Sequence, residues 1–346
     1  MFDDIVGNER AKELLRRMLR QGRVPGALVF AGESGLGKKL FAVELARALN
    51  CRARRGVEAC GACPACARIG KFDLPKPDDK SDEYKKVRWS EHRDVGMIVP
   101  HNRNILVDAV RDLERECNFR PVEGAARVFV IEEADSLNES ASNALLKTLE
   151  EAPPTTHLVL VTARPAGLVP TIRSRCQTVR FAPLSVADLE DYLVKSRKRA
   201  GAEARLAAHL AGGRLGPALS LNLDAYRARR EWALGALEAL APGGDRAHLL
   251  RAAEELSDAK NKDDFEPRLD TLATLVRDLW LLAAGAAPEG LANQDLRERL
   301  ARLAEGVPPA RPARWLSRVE ELRAQLAVNV NRRVASDALL LSMAAD

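Results

Sequence analysis

Short apolar runs alternate with helical patterns through the first half of the chain. Three runs are almost continuously apolar: ALVFA at 27–31, RVFVI at 127–131 and HLVLVT at 157–162. Strands of a parallel sheet are buried on both faces, so they lack the apolar/polar alternation of a half-exposed strand. The pattern predicts three strands of a parallel sheet.

Helical patterns lie between these runs. We predict helices over 40–49, over 107–117 and after Asn138, a residue type that caps helix N-termini. The third helix has one apolar stripe and stops before Pro153 and Pro154. Strands and helices that alternate in this order are typical of a doubly wound α/β domain.

The strand pattern ends near Pro183, and the rest of the chain is helical in character. We predict three domains: an α/β domain over 1–182, a small helical domain over 183–222 and an all-helical domain over 223–346. A chain of 346 residues is long enough for two or three domains. Only 4% of the residues are aromatic, which also favours packed helices over a β-sandwich.

Charge and terminal pattern set further limits. A net charge of +5 permits a nucleic-acid partner without demonstrating one. The opening MFDDIVGNER lacks the basic and apolar regions of a secretory signal, and no apolar run approaches the ~18 residues of a membrane helix. We therefore expect a cytoplasmic protein with reduced thiols.

Four cysteines are clustered. Cys51, Cys60, Cys63 and Cys66 have the spacing C-x8-C-x2-C-x2-C, which offers four soft ligands within sixteen residues. This pattern predicts a closed, tetrahedral, structural Zn²⁺ site. An iron–sulfur cluster and unligated thiols are the alternatives. The charged stretch 71–91 follows the cluster, and we expect it to be a solvated, partly mobile insertion or a partner-binding loop.

A glycine-rich loop follows the first predicted strand. Gly32, Gly35, Gly37 and Lys38 lie in AGESGLGKK, which has the spacing of a P-loop between a strand and a helix. Backbone N–H groups and the helix N-terminus of such a loop face an anion, and the lysine reaches the outer phosphates of a nucleotide. The alternative is a chance glycine-rich turn.

Two residues at the expected metal position depart from the P-loop pattern. Lys39 stands where a serine or threonine hydroxyl normally binds Mg²⁺, and an ammonium cannot coordinate a cation. We expect its side chain to turn outward. After the second strand, Glu132 replaces the first acid of an Asp-led pair, and its longer side chain shifts the carboxylate by about a methylene. The site is predicted to be degenerate.

An arginine-rich segment, VPTIRSRCQ, follows the third strand. Arg173 and Arg175 lie there in a predicted loop, where an arginine is more often a solvated charge than a functional group.

Segments along the whole chain stand in a recognisable order. They are FDDIVGNERAKELLRRML, the glycine loop, the four-cysteine insertion, EHRDVGMI, VIEEADSLNESASNALLKTLEEAPP, LVPTIRSRCQ and NVNRRVASDALLL. In this order they resemble the clamp-loader subunits of bacterial DNA polymerase III, which are AAA+ proteins. The resemblance is strongest from Phe2 to Gln177; NALLKTLEE and TIRSRC are its most specific parts.

The resemblance implies an assembly. It implies an AAA+ P-loop module, a helical lid and a C-terminal collar that joins five subunits, among them motor subunits and a delta subunit. The assembly would surround primer-template DNA while ATP binding opens the sliding clamp. The motif Ser174, Arg175 and Cys176 would present an arginine finger to ATP on the neighbouring subunit.

The departures from the motor pattern imply a role. Besides Lys39 and Glu132, Gly216 stands where a motor subunit has an arginine that touches the γ-phosphate. An intact finger beside an altered pocket implies a stator with little or no ATPase of its own; whether ATP or ADP still binds stays open. The alternatives are an ATP-hydrolysing motor subunit and a zinc-dependent DNA-binding module.

Overall fold

The chain folds into two compact units. The first comprises Met1–Leu184 with Arg214–Gly216, and the second comprises Ser185–Gly213 with Pro217–Asp346. The structure, a computed structural model, describes residues 1–76, 80–102, 104–241, 243–258, 263–287, 290–326 and 331–346. The division into three domains stays a prediction.

The first unit is built on a six-stranded sheet. Its strands are β1 (Ala27–Ala31), β2 (Arg88–Trp89), β3 (Val95–Ile98), β4 (Arg127–Ile131), β5 (Thr156–Thr162) and β6 (Gln177–Arg180). They lie in the order β2-β3-β4-β5-β1-β6. All neighbours pair in parallel except β2, which runs antiparallel to β3 at one edge.

Helices cover both faces of this sheet. The helices of this unit are α1 (Glu9–Arg20), α2 (Lys38–Asn50), α3 (Pro64–Arg68), α4 (Val107–Cys117), α5 (Glu139–Glu151) and α6 (Pro170–Arg175). Side chains alternate along β1: Phe30 joins the core formed with α1 and α2, whereas Val29 joins the core formed with α4 and α5. The predicted fold class, a mostly parallel sheet between helices, is confirmed.

The apolar runs located the central strands well. β1 and β4 coincide with the predicted runs, β5 begins one residue earlier, and every residue of the three is buried. Asn138 caps α5 as expected, with its side-chain oxygen accepting from the backbone N–H of Ala141 at 2.8 Å. The run 107–117 is helical as predicted, and α2 starts two residues before its predicted start.

The charged stretch 71–91 is less solvated than predicted. Tyr84 is buried. Trp89 in β2 packs edge-on against Phe129 of β4, with 5.6 Å between the ring centroids. The backbone of Phe72 also bridges to Ser90. The aromatic side chains therefore anchor this stretch and add the antiparallel edge strand; residues 77–79 lie outside the described residues.

The second unit is helical. Its helices are α7 (Val186–Arg197), α8 (Gly201–Ala211), most of α9 (Leu215–Ser220), α10 (Leu223–Leu240), α11 (Arg246–Ser257), α12 (Phe265–Ala283), α13 (Arg297–Ala304), α14 (Ala310–Gln325) and α15 (Arg332–Ala345). Leucine and alanine side chains from α10 to α15 form one core around Trp315, whose indole N–H donates to Met343 O at 2.8 Å. No strand follows Arg180 in the described ranges, as predicted.

No helix in the described parts of the chain combines the length and apolar character needed to cross a membrane.

A buried histidine on β5 gives the first unit an acid sensitivity. Burial lowers the pKa of His157, although a hydrogen-bond contact of Nδ1 with Pro25 O partly opposes this shift. Below about pH 6.5 the unfolded chain binds a proton that the folded chain refuses, so the free energy of unfolding falls as the pH drops toward the folded pKa.

We expect the His157→Asn variant, whose amide can keep the contact with Pro25 O, to lose part of this acid sensitivity. Urea unfolding at about pH 7.5 and about pH 5.5 measures it. Burial also lowers the pKa of His92 and His209, so some sensitivity remains. An identical pH dependence in the variant and the wild type would contradict the assignment.

Candidate nucleotide pocket, arginine motif and metal centre

Three strand ends bring the predicted nucleotide residues together. The glycine loop follows β1, Glu132 follows β4, and Thr162 ends β5. Because β4, β5 and β1 are parallel neighbours, their carboxyl ends meet at one edge of the sheet. Open α/β sheets bind ligands at this edge.

The glycine loop adopts a conformation that side chains would not tolerate. Gly32, Gly35 and Gly37 have φ values of 155°, 82° and 84°. A Cβ on Gly32 would lie 2.4 Å from Phe181 O, so only glycine fits there. The loop leads directly into α2, as a phosphate-binding loop requires.

Lys38 is buried against this loop. Its ammonium donates hydrogen bonds to Gly32 O and Glu33 O. Burial lowers the pKa of Lys38, while the charges of Asp135 and Glu33 partly oppose that shift. The glycine conformations and the buried lysine fit the phosphate groups of a nucleotide, with Lys38 as the cation beneath them.

The prediction that Lys39 turns outward is wrong. Its ammonium lies 3.1 Å from Glu132 Oε2, and the two side chains are 37% and 23% exposed. The partner lies 93 positions along the sequence, but it follows β4, which only β5 separates from β1 in the sheet. A local reading of the loop could anticipate repulsion from a metal, but not this attraction to a distant carboxylate.

Sequence reasoning assigned no role to a second set of polar side chains at this edge. Asp135 accepts from Thr162 Oγ1 at 2.7 Å and from Arg164 Nε at 2.8 Å. Burial alone would raise the pKa of Asp135, but these hydrogen bonds outweigh it and the pKa is lowered. The position of Thr162 at the end of a predicted strand was the available signal.

Gly216 lies directly on the glycine loop. Its backbone N–H donates to Gly35 O at 2.9 Å, and a Cβ at Gly216 would come within 3.1 Å of the Gly35 Cα. Arg214 forms a 3.9 Å ion pair with Glu33 of the same loop. The backbone is therefore packed against the loop at the position where the motor pattern has an arginine side chain.

The arginine motif is helical rather than a loop. Arg175 is the last residue of α6, Ser174 precedes it, and Cys176 is half-buried against the core. Pro170 at the first position favours this short helix. The loop prediction is wrong because the helix spans only Pro170–Arg175, too few residues for a periodic pattern to emerge.

Arg175 is exposed and ion-paired. Its Nε donates to Glu150 Oε1 of α5 at 2.7 Å, and the two side chains are 38% and 51% exposed. An exposed pair of this kind contributes about 0.2–1 kcal/mol, so it holds the guanidinium only weakly. β6 begins two residues later, with Gln177 opposite Leu28 of β1.

The four cysteines converge on one point. Their sulfur atoms all lie within 4.8 Å of one another, with Cys51 and Cys63 at 3.9 Å and Cys60 and Cys66 at 4.0 Å. A tetrahedral ion with 2.3 Å bonds to sulfur requires sulfur atoms about 3.8 Å apart. This cluster can hold a metal ion, and it leaves no position for a substrate.

Backbone groups favour thiolates in the cluster. The N–H of Cys66 is the main cause that lowers the pKa of Cys63 to about 6, and the N–H of Ala62 is the main cause that lowers the pKa of Cys60. Burial raises the pKa of Cys66. The cluster therefore combines thiols with lowered and raised pKa values. A bound cation would stabilise the thiolate form of all four.

The metal-binding segment is tied to the sheet. Arg68 at the end of α3 donates to Glu123 Oε1 at 3.2 Å, and the same oxygen accepts from the N–H of Arg93 at 2.9 Å. Asp94, fully buried directly before β3, accepts from the N–H groups of Val122, Glu123 and Gly124 at 2.7–2.9 Å. The cluster is thus tied to the segments that directly precede β3 and β4.

Comparisons with known proteins agree with this architecture. A family model described as "DNA polymerase III, delta subunit" matches residues 7–78 and 71–185, and one described as "DNA polymerase III, delta subunit, C terminal" matches residues 236–344. Together they cover both the α/β unit and the helical end of the chain.

Individual relatives extend over nearly the whole chain. The chain is 32% identical to DNA polymerase III subunit delta' of Escherichia coli (strain K12), across 95% of this chain and 92% of the relative. It is 27% identical to the delta' subunit of Bacillus subtilis (strain 168), across 96% and 95%. The tau subunit of E. coli is 33% identical across 64% of this chain and 32% of tau. The chain belongs to the family of DNA polymerase III delta-prime subunits.

Proposed function

We propose that this chain is the non-motor subunit, or stator, of a bacterial sliding-clamp loader in DNA replication. In this proposal it assembles in the cytoplasm with motor subunits and a delta subunit into a hetero-pentamer. Arg175 acts as an arginine finger that completes the ATP site of a neighbouring subunit. The sliding clamp and primer-template DNA are partners of the assembled complex.

The positions of Arg175 and the pocket on the sheet carry this proposal. Arg175 precedes β6 and therefore lies at the amino edge of the sheet, whereas the glycine loop follows β1 and lies at the carboxyl edge. The length of β6 separates these edges by on the order of 10 Å. Arg175 and its own pocket therefore lie at opposite edges of the sheet, which supports a nucleotide on another chain as the ligand it serves.

The chemistry of Arg175 supports the assignment. A guanidinium presents five N–H donors in a planar fork and stays charged at all relevant pH values. Such a group, supplied from outside an ATP site, stabilises the charge that develops on the transferring phosphoryl group. Because the ion pair with Glu150 is weak, Arg175 can leave it to bind a more highly charged partner.

The altered pocket supports a stator rather than a motor. Lys39 forms an ion pair with the carboxylate of Glu132. At Gly216, where a motor subunit has a phosphate-contacting arginine, the backbone itself is hydrogen-bonded to the glycine loop. Hydrolysis of a nucleotide depends on a metal ion that neutralises the phosphate oxygens. We therefore propose that this subunit hydrolyses little or no ATP itself.

We further propose that the cysteine cluster binds structural Zn²⁺. All-sulfur coordination, near-tetrahedral sulfur separations and the absence of an open ligand position among Cys51, Cys60, Cys63 and Cys66 support that ion.

ATP turnover assays of the purified chain, alone and mixed with motor subunits, test this role. We expect no magnesium-dependent ATP turnover from the chain alone, because its metal position carries an ammonium. We expect ATP turnover by the motor subunits to rise when the chain is added, because it supplies the missing finger. Phosphate release measures both.

Two outcomes would contradict this proposal. Robust magnesium-dependent turnover by the isolated chain would favour a motor subunit. Tight, sequence-selective duplex binding by the isolated chain, without any effect on the motor subunits, would favour a DNA-binding module.

A further inference from the structure

The Lys39–Glu132 ion pair lies where a P-loop protein normally holds a magnesium ion. Lys39 is the second residue of α2, directly after the P-loop lysine, and Glu132 directly follows β4. Their 3.1 Å contact joins the two elements that supply metal ligands in such proteins. The structure therefore holds a positive group of its own at this position.

These residues do not fit Mg²⁺. The ion requires oxygen ligands at 2.0–2.1 Å in near-octahedral order. An ammonium has three donors and no lone pair, so Lys39 cannot be a ligand. It would also repel an ion that approached Glu132, whose carboxylate it already neutralises. A divalent ion would have to displace an attached cation before it could bind.

The glycine loop and Lys38, which would hold the phosphates, are nevertheless in place. The loop keeps its left-handed glycines, and Lys38 is only 6% exposed beneath them. A buried ammonium without an anionic ligand is disfavoured, as the lowered pKa of Lys38 reflects. Asp135, another acid at this edge, is already paired with Thr162 and Arg164. An incoming polyphosphate would therefore meet two ammonium groups, and the carboxylates of Glu132 and Asp135 both have partners already.

We propose that this P-loop binds a nucleoside di- or triphosphate in its metal-free form, with the ammonium of Lys39, held by Glu132, in the role that a magnesium ion has elsewhere. The ion pair positions the Lys39 ammonium at the edge of the glycine loop, and Lys38 contacts the phosphates from beneath the loop. The bound nucleotide is a structural ligand and is not hydrolysed. This inference goes beyond the proposed function because it concerns the chain's own pocket and makes no use of Arg175.

Calorimetric titration of the full-length chain with ADP, in EDTA and in excess magnesium chloride, tests the proposal. We expect the dissociation constants in the two conditions to agree within about twofold, since the cation is part of the chain. In the Lys39→Thr variant, which regains a hydroxyl ligand, we expect ADP binding in EDTA to weaken by about tenfold or more. Magnesium should restore most of that loss.

Two further variants separate this effect from a general loss of charge or fold. Lys147 forms a comparable 3.0 Å pair with Glu114, on helices away from the pocket. The Lys147→Thr variant should bind ADP as the wild type does in both conditions. The Lys38→Ala variant should lose ADP binding in both. Thermal melting of each variant verifies that it is folded.

Three results would overturn the proposal: wild-type chain that binds no ADP in EDTA, wild-type affinity that rises tenfold or more with magnesium, or a folded Lys39→Thr variant that binds ADP equally well in EDTA. The titrations contain no neighbouring subunit. Their failure would therefore leave the arginine-finger proposal standing, and failure of that proposal would not affect them.

Discussion

Replacement of Arg175 by alanine is expected to lower ATP hydrolysis at the neighbouring site of the reconstituted clamp loader by about 10³-fold or more. In the proposed role Arg175, at the end of α6, supplies charge only as the phosphoryl group is transferred, so nucleotide binding by the neighbour should change little. Single-turnover ATP hydrolysis by the assembled complex measures the effect.

Matched variants make this test specific. Arg173→Ala removes the same charge from an exposed position two residues earlier in α6, where the side chain points in a different direction, and should leave hydrolysis near the wild-type rate. Arg175→Lys keeps the charge but loses the planar fork, so it should rescue only part of the activity. Gel filtration should show intact assembly for all three.

Unchanged turnover in the Arg175→Ala complex would reject the finger assignment. Failure of that variant to assemble, with Arg173→Ala assembling normally, would show instead that Arg175 holds the subunits together.

Removal of metal from the cysteine cluster is expected to have the second large effect. Structural zinc in small sites contributes on the order of 10 kcal/mol, so loss of the ion should unfold the segment from Cys51 to Arg68. We expect one zinc ion per chain by metal analysis and loss of that ion in the Cys63→Ser variant. Hydrogen exchange should become fast over this segment.

The effect should extend to the N-terminus. Glu58, within the segment, accepts from Arg16 Nε at 2.6 Å and from the backbone N–H of Phe2 at 3.1 Å. Exchange at the N-terminal turn should therefore rise as well. The Cys176→Ser variant, which removes a thiol outside the cluster, should keep one zinc ion. Metal-free native protein with four freely reactive thiols would contradict the site.

The sequence alone predicted the centre of the fold better than its margins. β1, β4 and β5 are buried on both faces, and this burial produces the continuous apolar runs that identify them. β2 lies at the sheet edge and has only two residues, the charged Arg88 and the apolar Trp89. Its apolar signal was too short to separate from the charged stretch around it.

The candidate sites show the same limit. The four cysteines lie within sixteen positions, so spacing alone could predict that they meet. The partners of Lys39 and Arg175 lie 93 and 25 positions away, and only strand order and helix packing bring them together. Residue type identified Lys39 as a departure from the P-loop pattern, but it could not predict which carboxylate either cation meets.

The placement of Arg175 and the glycine loop at opposite edges of the sheet also limits how such chains can associate. A contact that joins one chain's finger to another's pocket is head-to-tail, and no twofold axis can relate its two sides. Successive contacts of this kind must close into a ring or continue until they reach a subunit whose own pocket does not require a finger from a neighbour. In the proposed role, this chain offers a guanidinium while Lys39 fills its own metal position, as expected of such a terminal member.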